Sequence, residues 1–280
     1  MNEIRREVVG SEQEGMELIS FISQKISVSR RKAKQLIDSR IVYVNNKCVW
    51  IAHHNLRKGD LVEFSSNAIE ETGQEKSIKV LYRDKEYLIV DKPSGITANQ
   101  SKDSLEVLLQ RRYNHSQIRA AHRLDKYTSG CMIFALTFNA FERIVELFRL
   151  KKVLKSYVAI VYGRIGKQKM LINFPIDMQE AITELCVIKV AEEASFIRLF
   201  PKTGRTHQLR IHLAEIGHPI IGDNQYGSRK IYGWQGKMVL RQSLHSDYIS
   251  FTSPFTGNVV KAHSELPDDF CKALKLFKLM

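Results

Sequence analysis

No run of apolar residues in this chain of 280 approaches the ~18–20 that a membrane-spanning helix needs. The opening MNEIRREVVGSEQEGMEL scatters acids through a stretch with no continuous apolar core, so it is not read as a secretory leader. Cysteine is scarce: Cys48, Cys131, Cys186 and Cys271 lie far apart and form no CxxC pair. That spacing argues against a disulfide framework and predicts reduced thiols in a cytoplasmic setting. No GxxxxGK[ST] or GxGxxG loop is present to cradle the phosphates of a nucleotide, and no GxSxG elbow to carry a serine nucleophile. Acids are short as well, with 30 Asp+Glu against 43 Lys+Arg and a net charge of +13. Such an excess concerns partners rather than fold, and it favours a polyanion, nucleic acid before anionic membrane.

The remaining composition, 44% apolar and 26% charged, is that of a globular chain long enough for one large domain or for a large domain plus a small one. Residues 1–64 read as the small one. Leu18, Phe21, Ile22 and Ile26 recur at helical spacing, and Ser29 offers an N-cap to a second helix reaching Asp38, with Ala33, Leu36 and Ile37 as its apolar stripe. Ile41–Val44 and Lys47–Ile51 read as a hairpin turning at Asn45-Asn46, and Leu56–Phe64 closes the module after a turn at Lys58-Gly59-Asp60. From Lys25 to Lys58 there are nine Lys/Arg and one acid, Asp38. Arg30, Arg31, Lys32 and Lys34 crowd the start of the second helix, where the helix dipole disfavours cations and a bound phosphate would reverse the penalty. RNA or DNA contact is expected here, against the alternative of a solvated basic face. Residues 65–77, SSNAIEETGQEKS, read as a linker. Beyond it, 78–280 mixes strand-like runs (Ile78–Tyr82, Tyr87–Val90, Cys131–Leu136, Tyr157–Tyr162, Phe196–Phe200) with helical patterns (Ser104–Arg111, Asn139–Leu150), which predicts an α+β domain.

Four segments of that domain hold residues suited to chemistry. In Ala121-His122-Arg123-Leu124-Asp125-Lys126-Tyr127-Thr128-Ser129-Gly130, Asp125 stands between two cations just before a buried strand. A carboxylate so placed stays ionised and serves as nucleophile or base, or else as a structural partner of Arg123; spacing alone leaves both readings open. Pro201 to His212, PKTGRTHQLRIH, packs Arg205, His207, Gln208, Arg210 and His212 around a helix start. The two histidines stand five apart and do not share a helical face, and no cysteine or carboxylate cluster completes a metal site, so no metal is expected. Lys92, in Val90-Asp91-Lys92-Pro93-Ser94-Gly95, either faces a phosphate or is a solvated turn residue. Tyr157 lies in a stretch from Leu147 to Ile176 with seven Lys/Arg and no acid, and by itself reads as a strand aromatic.

Taken in order, HRLD-x-x-TSG, GRTHQLR-x-H and GHPIIGDNQYG (217–227) make the region from Ile78 to Leu276 resemble the RluA family of pseudouridine synthases. Ser29-Arg30-Arg31, Leu36-Ile37, Ile41-Val42-Tyr43-Val44-Asn45 and Lys58-Gly59-Asp60 resemble an S4 RNA-binding domain (αL-like), with Asn46 where that family has glycine and Glu17-Leu18-Ile19 where it has Arg-Leu-Asp. The resemblance implies a mixed, largely antiparallel sheet with flanking helices. It implies an isomerase that turns uridine into pseudouridine in structured RNA, without cofactor or metal, on large-subunit ribosomal RNA and with assembling ribosomal particles as a partner. It also implies roles: Asp125 as the essential carboxylate, Arg210 as its basic partner, Tyr157 stacking on the flipped uracil, and Arg123 filling the place the nucleotide leaves. His122, Thr128 and Arg205 fall in support positions. RNA contact is expected from Lys92, Arg205, Ser29, Arg30, Arg31, Lys32 and Lys34. Transfer RNA as the substrate, and a binding-only assembly factor, are the alternatives. The tail Lys272–Met280 reads as a packed terminal helix rather than a membrane anchor.

Overall fold

The computed structural model describes residues 4–38, 42–65, 78–99, 101–227 and 239–280. The chain divides into two compact units, Met1–Lys76 and Ser77–Met280. Most of the stretch read as a linker, 66–77, lies outside the described residues, as does Ile41.

In the first unit, strands β1 (Ile4–Val8), β2 (Val42–Val44), β3 (Lys47–Cys48) and β4 (Leu61–Ser65) form an antiparallel sheet in the order β1-β4-β2-β3. Helices α1 (Leu18–Lys25) and α2 (Arg30–Asp38) bury Leu18, Phe21, Ile22, Ala33, Leu36 and Ile37, the stripe that the spacing predicts. Ser29 caps α2: its hydroxyl accepts the Lys32 N–H at 3.3 Å. Asn45 and Asn46 both take positive φ, 50° and 64°, as the tight turn requires. The return strand is shorter than expected. It stops at Cys48 because the chain bends to place the carbonyls of Ala52 and His54 on the N–H groups of Ile19 and Leu18 (3.0 and 2.8 Å), the free donors at the start of α1.

The second unit is built on a sheet in the order β10-β11-β12-β9-β13-β8-β6-β5, with β14 added to β13 and β7 to β8. Its strands are β5 (Lys79–Arg83), β6 (Tyr87–Lys92), β7 (Arg119–Ala120), β8 (Ser129–Ala135), β9 (Leu154–Tyr162), β10 (Lys169–Ile172), β11 (Thr183–Val190), β12 (Ala194–Pro201), β13 (Leu244–Thr252) and β14 (Val259–His263). Helices α3 (Leu105–Tyr113), α4 (Phe138–Arg149), α5 (Gln208–Glu215) and α6 (Asp268–Leu276) complete it. The fold is thus the expected α+β with a mixed, largely antiparallel sheet. Residues alternate between two buried faces: Leu88, Val90, Met132, Phe134, Tyr157, Ala159 and Val161 share one apolar cluster, while Tyr87, Ile89, Cys131, Ile133 and Ala135 belong to another. Phe270, Ala273 and Leu274 of α6 pack with Val158 and Ile160, so the tail is a packed helix, and among the described residues no helix is long and apolar enough to cross a membrane.

One strand pair is parallel. β8 and β13 run together through Ser129–His245 and Gly130–Ser246, so both strands begin at the same edge of the sheet. Gly130 permits the approach. Its φ is +110°, and a Cβ there would lie 2.2 Å from the Ser246 carbonyl oxygen. Gly130→Ala is expected to lower the unfolding free energy by at least ~3 kcal/mol. Gly257→Ala, at φ +71° but facing open space, should cost only about 1 kcal/mol. Urea titration of the two variants checks the difference.

Two histidines are wholly buried. His212 donates from Nε2 to the Phe174 carbonyl (3.0 Å) and accepts the Thr183 hydroxyl at Nδ1 (3.0 Å); His245 bridges Ser129 Oγ (2.9 Å) and the Ser264 carbonyl (3.2 Å). Burial pushes both imidazoles below their ordinary range. The unfolded chain therefore takes up protons first as pH falls, and stability that is complete above about pH 6.5 drains away below it. The expected loss is up to about 1.4 kcal/mol per pH unit per histidine. Melts between pH 7 and 5 should show it, with a shallower fall in His212→Gln.

Candidate active site

The loop from Asp125 to Thr128 leads into β8 and is held by donors from several directions. Lys92 is wholly buried, and its ammonium donates to the carbonyls of Pro93 (3.0 Å), Ile96 (2.8 Å) and Lys126 (3.1 Å). The expectation that Lys92 faces an RNA phosphate is thereby corrected: with no surface and three carbonyl acceptors, it braces the loop from inside. The Gly95 N–H also reaches the Lys126 carbonyl, and Ser94 Oγ and Arg241 Nη1 both donate to the Tyr127 carbonyl. Arg241 in turn grips Asp269 of α6 through Nε and Nη2.

Asp125 projects from this braced loop with a quarter of its side chain exposed. Its Oδ2 accepts from Arg210 Nη1 at 3.0 Å and from Gln242 Nε2 at 3.4 Å; Gln242 also donates to Thr128 Oγ1 at 2.7 Å. Asp125 Oδ1 has the His207 Nε2 at 3.7 Å. Arg210, 8% exposed, sends Nε and Nη2 to the two carboxylate oxygens of Asp223 at 2.6 and 2.9 Å, and Asp223 is 1% exposed. Burial works against the guanidinium charge, but Asp223 and Asp125 outweigh it and hold Arg210 above its ordinary value. Arg210 is thus a charged bridge between a buried carboxylate and a half-open one.

The surrounding chain is shaped to hold that bridge. His207 caps α5 in the left-handed conformation (φ 55°), and Gln208 ties the preceding turn by accepting Thr203 Oγ1 (2.7 Å) and the Arg205 N–H (3.0 Å). Asp223 Oδ1 accepts the N–H groups of Gln225 (3.0 Å) and Tyr226 (3.2 Å), a turn that brings the Tyr226 ring within 4.9 Å of the Arg210 guanidinium. The Tyr226 hydroxyl meets His207 Nδ1 at 2.9 Å. Burial lowers His207 below its ordinary value against the pull of Asp125. Gly222, at φ +80°, lets this turn approach the segment carrying Gln242: a Cβ would lie 2.1 Å from the Arg241 carbonyl oxygen.

Tyr157, 8% exposed, shares an apolar cluster with Leu124 and Leu209, the sequence neighbours of Asp125 and Arg210, and burial pushes its phenol up. Arg123 is exposed two residues before Asp125. His122 accepts the Ile133 N–H at Nε2 (3.1 Å) and is driven down to about 3, chiefly by burial. Arg205 is exposed, with Nε on the Glu180 carbonyl (3.0 Å). In the first unit Arg30, Arg31, Lys32 and Lys34 are all exposed; Arg30 pairs with Glu17 (2.9 Å) and Lys34 with Asp38 (3.2 Å). The hydroxyl of Ser29 is engaged in the helix cap. Among the described residues no three His, Cys, Asp or Glu side chains gather as a metal site.

Sequence reasoning did not single out Asp223, Tyr226 or Gln242. The first two lie inside GHPIIGDNQYG, whose Gly222-Asp223 is a turn signal; Gln242 has no local signal at all.

The family model for RNA pseudouridylate synthase matches residues 86–215, and that for the S4 domain matches 18–62. Ribosomal large subunit pseudouridine synthase D of Buchnera aphidicola (subsp. Schizaphis graminum) is 30% identical over 287 residues, covering 89% of this chain and 90% of that protein. The dual-specificity RNA pseudouridine synthase RluA of Salmonella typhi is 33% identical over 218 residues, 70% of this chain and 96% of that one. The solved structure of human RNA pseudouridylate synthase domain containing 4 shares the fold, with a TM-score of 0.62 at 23% identity over 71% of this chain and 93% of its own. This chain belongs to the RNA pseudouridine synthases. It is an isomerase of uridine in RNA, with an S4 domain ahead of its catalytic unit.

Removing Arg210 strands Asp223 as a buried, uncompensated charge. Arg210→Met is expected to cost about 3–5 kcal/mol of stability, and the double change Arg210→Met/Asp223→Leu should recover much of it. Denaturant titration of the single and double variants measures the coupling.

Proposed function

We propose that Asp125 is the carboxylate on which the isomerisation turns and that its substrate is ribosomal RNA of the large subunit. One observation carries the first half: Asp125 Oδ2 is held at 3.0 Å by an arginine that a buried aspartate itself holds in place. Isomerisation breaks the N1–C1′ bond, turns the uracil, joins C5 to C1′ and releases the C5 proton. The uracil departs with the bonding electrons and the ribose is left electron-poor. Attack on C1′, addition at C6 and removal of a ribose proton are the available first steps, and each requires an ionised carboxylate in a fixed orientation. Arg210 supplies both the charge and the orientation. Because Arg210 and Gln242 occupy Oδ2, Oδ1 is the oxygen left for the substrate.

The uridine must first leave its stack, at a cost of a few kcal/mol. Tyr157, edged to the surface of an apolar cluster, suits a wall for the flipped uracil; exposed Arg123 suits a filler for the gap. The basic start of α2 suits phosphate contact by Arg30, Arg31, Lys32 and Lys34, with Arg205 a further contact on the catalytic unit. Near full-length similarity to a large-subunit synthase supports the choice of ribosomal RNA, whereas the dual-specificity relative matches 70% of the chain. We place the reaction on assembling ribosomal particles in the cytoplasm, where ribosomal RNA and free thiols such as the four cysteines here coexist.

Asp125→Asn is expected to abolish pseudouridine formation, a loss of at least about a thousandfold, with RNA affinity unchanged; retained turnover in the purified variant removes Asp125 from the chemistry. Carbodiimide mapping of RNA from cells with and without the gene tests the substrate. Loss at one or a few large-subunit sites is expected, in particles before free transcripts, and it should not be rescued by Asp125→Asn. Loss confined to transfer RNA overturns the ribosomal assignment.

A further inference from the structure

Beside Asp125 a chain of hydrogen bonds has a direction that follows from what each side chain can donate. Arg210 carries donors only. Its Nη2 lies 3.3 Å from the amide oxygen of Gln225, so Gln225 turns Oε1 to the guanidinium and Nε2 to the other side. There Nε2 donates to the Tyr226 hydroxyl at 3.3 Å. The phenol oxygen accepts that bond and still has its own proton to place. Among the described residues the acceptor for it is His207 Nδ1, at 2.9 Å. Nδ1 therefore carries no proton.

Burial holds this imidazole below its ordinary range, so at neutral pH the ring has a single proton, and that proton sits on Nε2. Nε2 faces Asp125 Oδ1 at 3.7 Å, beyond hydrogen-bond range. About a quarter of each of the two side chains is open. The N–H thus stands beside the carboxylate oxygen that Arg210 and Gln242 leave free, with no hydrogen-bond acceptor of its own among the described residues. Its aim is set from behind. Nδ1 is tied to Tyr226, the Tyr226 ring lies over the Arg210 guanidinium, and the His207 backbone opens α5. A donor fixed in this way beside the reacting carboxylate is placed to meet charge that develops on the substrate.

We propose that His207 is a catalytic hydrogen-bond donor, its Nε2–H held by Tyr226 to meet a uracil carbonyl oxygen as negative charge builds there. This rests on the reading of Asp125 as the essential carboxylate. Each first step open to Asp125 sends electrons to the same oxygens. Attack on C1′ and removal of a ribose proton both expel the uracil with the N1–C1′ electron pair, and addition at C6 makes an enolate. In every case the charge spreads to O2 or O4. His207 keeps its proton throughout. When C5 takes C1′ the pair enters the new bond, and the proton lost from C5 is matched by one gained at N1. A neutral donor suits this sequence, because it steadies the charged uracil without giving it a proton that C5 attack would have to shed.

The test compares His207→Phe, which keeps a ring and removes the donor, with His207→Gln, whose amide N–H reaches the place of Nε2. Both are assayed as full chains on total RNA from cells lacking the gene, at saturating enzyme and neutral pH, with carbodiimide mapping of the product. His207→Phe should lose about a hundredfold in the rate constant of bound RNA at unchanged RNA affinity, and His207→Gln should recover most of it. Full rate in His207→Phe overturns the proposal, and so does an equal loss in both variants, which marks packing rather than donation. Nitrogen NMR of isotope-labelled histidine gives a readout without turnover, the His207 signal being the one that His207→Gln removes. Its proton is expected on Nε2, and Tyr226→Phe should let it move toward Nδ1; a proton on Nδ1 in the parent overturns the donor. Asp125→Asn is run alongside. If it turns over like the parent, the reading of Asp125 fails and His207 with it; if it is inactive while His207→Phe is normal, the His207 donor alone fails.

Discussion

Two strands running side by side in one direction set the geometry of the catalytic unit. In the described sheet every pair is antiparallel except β8 with β13, and a parallel pair begins both its strands at the same edge. The residues just upstream of each strand are therefore neighbours although more than a hundred positions separate them in sequence. Asp125 precedes β8, Gln242 precedes β13, and the two side chains meet. The approach is bought with two glycines, Gly130 against the Ser246 carbonyl and Gly222 against the Arg241 carbonyl, because any Cβ would collide with backbone. Backbone cannot move out of the way as a flexible side chain can, so these positions constrain the site more tightly than any single apolar contact in the core.

On that frame lies a short chain of charge: Asp223, Arg210, Asp125. Burying Asp223 alone would be prohibitive, and burying Arg210 alone nearly so; together they cancel most of each other's desolvation and leave the Nη1 amino group for Asp125. The order of burial matters. Asp223 is sealed, Arg210 nearly so, and Asp125 keeps a quarter of its surface. An arginine shared by two equally open carboxylates would be free to turn toward either. Anchored on the sealed one, it presents a fixed donor to the one that is partly open. Tyr226 and His207 close the remaining side, the phenol joined to the imidazole and the ring laid over the guanidinium.

Much of this was legible in the amino-acid order, unevenly. The short apolar runs of β6, β8 and β9 and the helical stripe of α1 and α2 are local signals, and they appear where the pattern predicts. So do the Ser29 cap and the Asn45-Asn46 turn. The strands β1, β10, β11, β13 and β14 were not foreseen: their residues mix apolar and charged types, and neighbours distant in sequence decide their pairing. The third strand of the small unit ends early for a tertiary reason, since its downstream carbonyls are needed to cap α1. Asp125 and Arg210 stand in dense strings of charged and polar residues and are easily singled out. Asp223 stands in a turn signal that names no partner, and Gln242 has no local signal; the fold alone brings the first to Arg210 and the second to Asp125.

Lys92 shows why residue type is a poor guide to the role of a cation. It stands before a Pro-Ser-Gly turn, as a phosphate-binding lysine would, yet its ammonium is enclosed by three carbonyls. Those carbonyls belong to the turn after β6 and to the Asp125 loop, so the charge is used to lock two loops together. Arg30, Arg31 and Lys32 are the opposite case. They are exposed at a helix start that repels them, a cost borne in the isolated protein and relieved when an anion arrives. Burial, rather than the count of basic residues, sorts the cations of this chain. Those enclosed by carbonyls or carboxylates hold the Asp125 loop and its arginine in shape, and those at the start of α2 are left facing water.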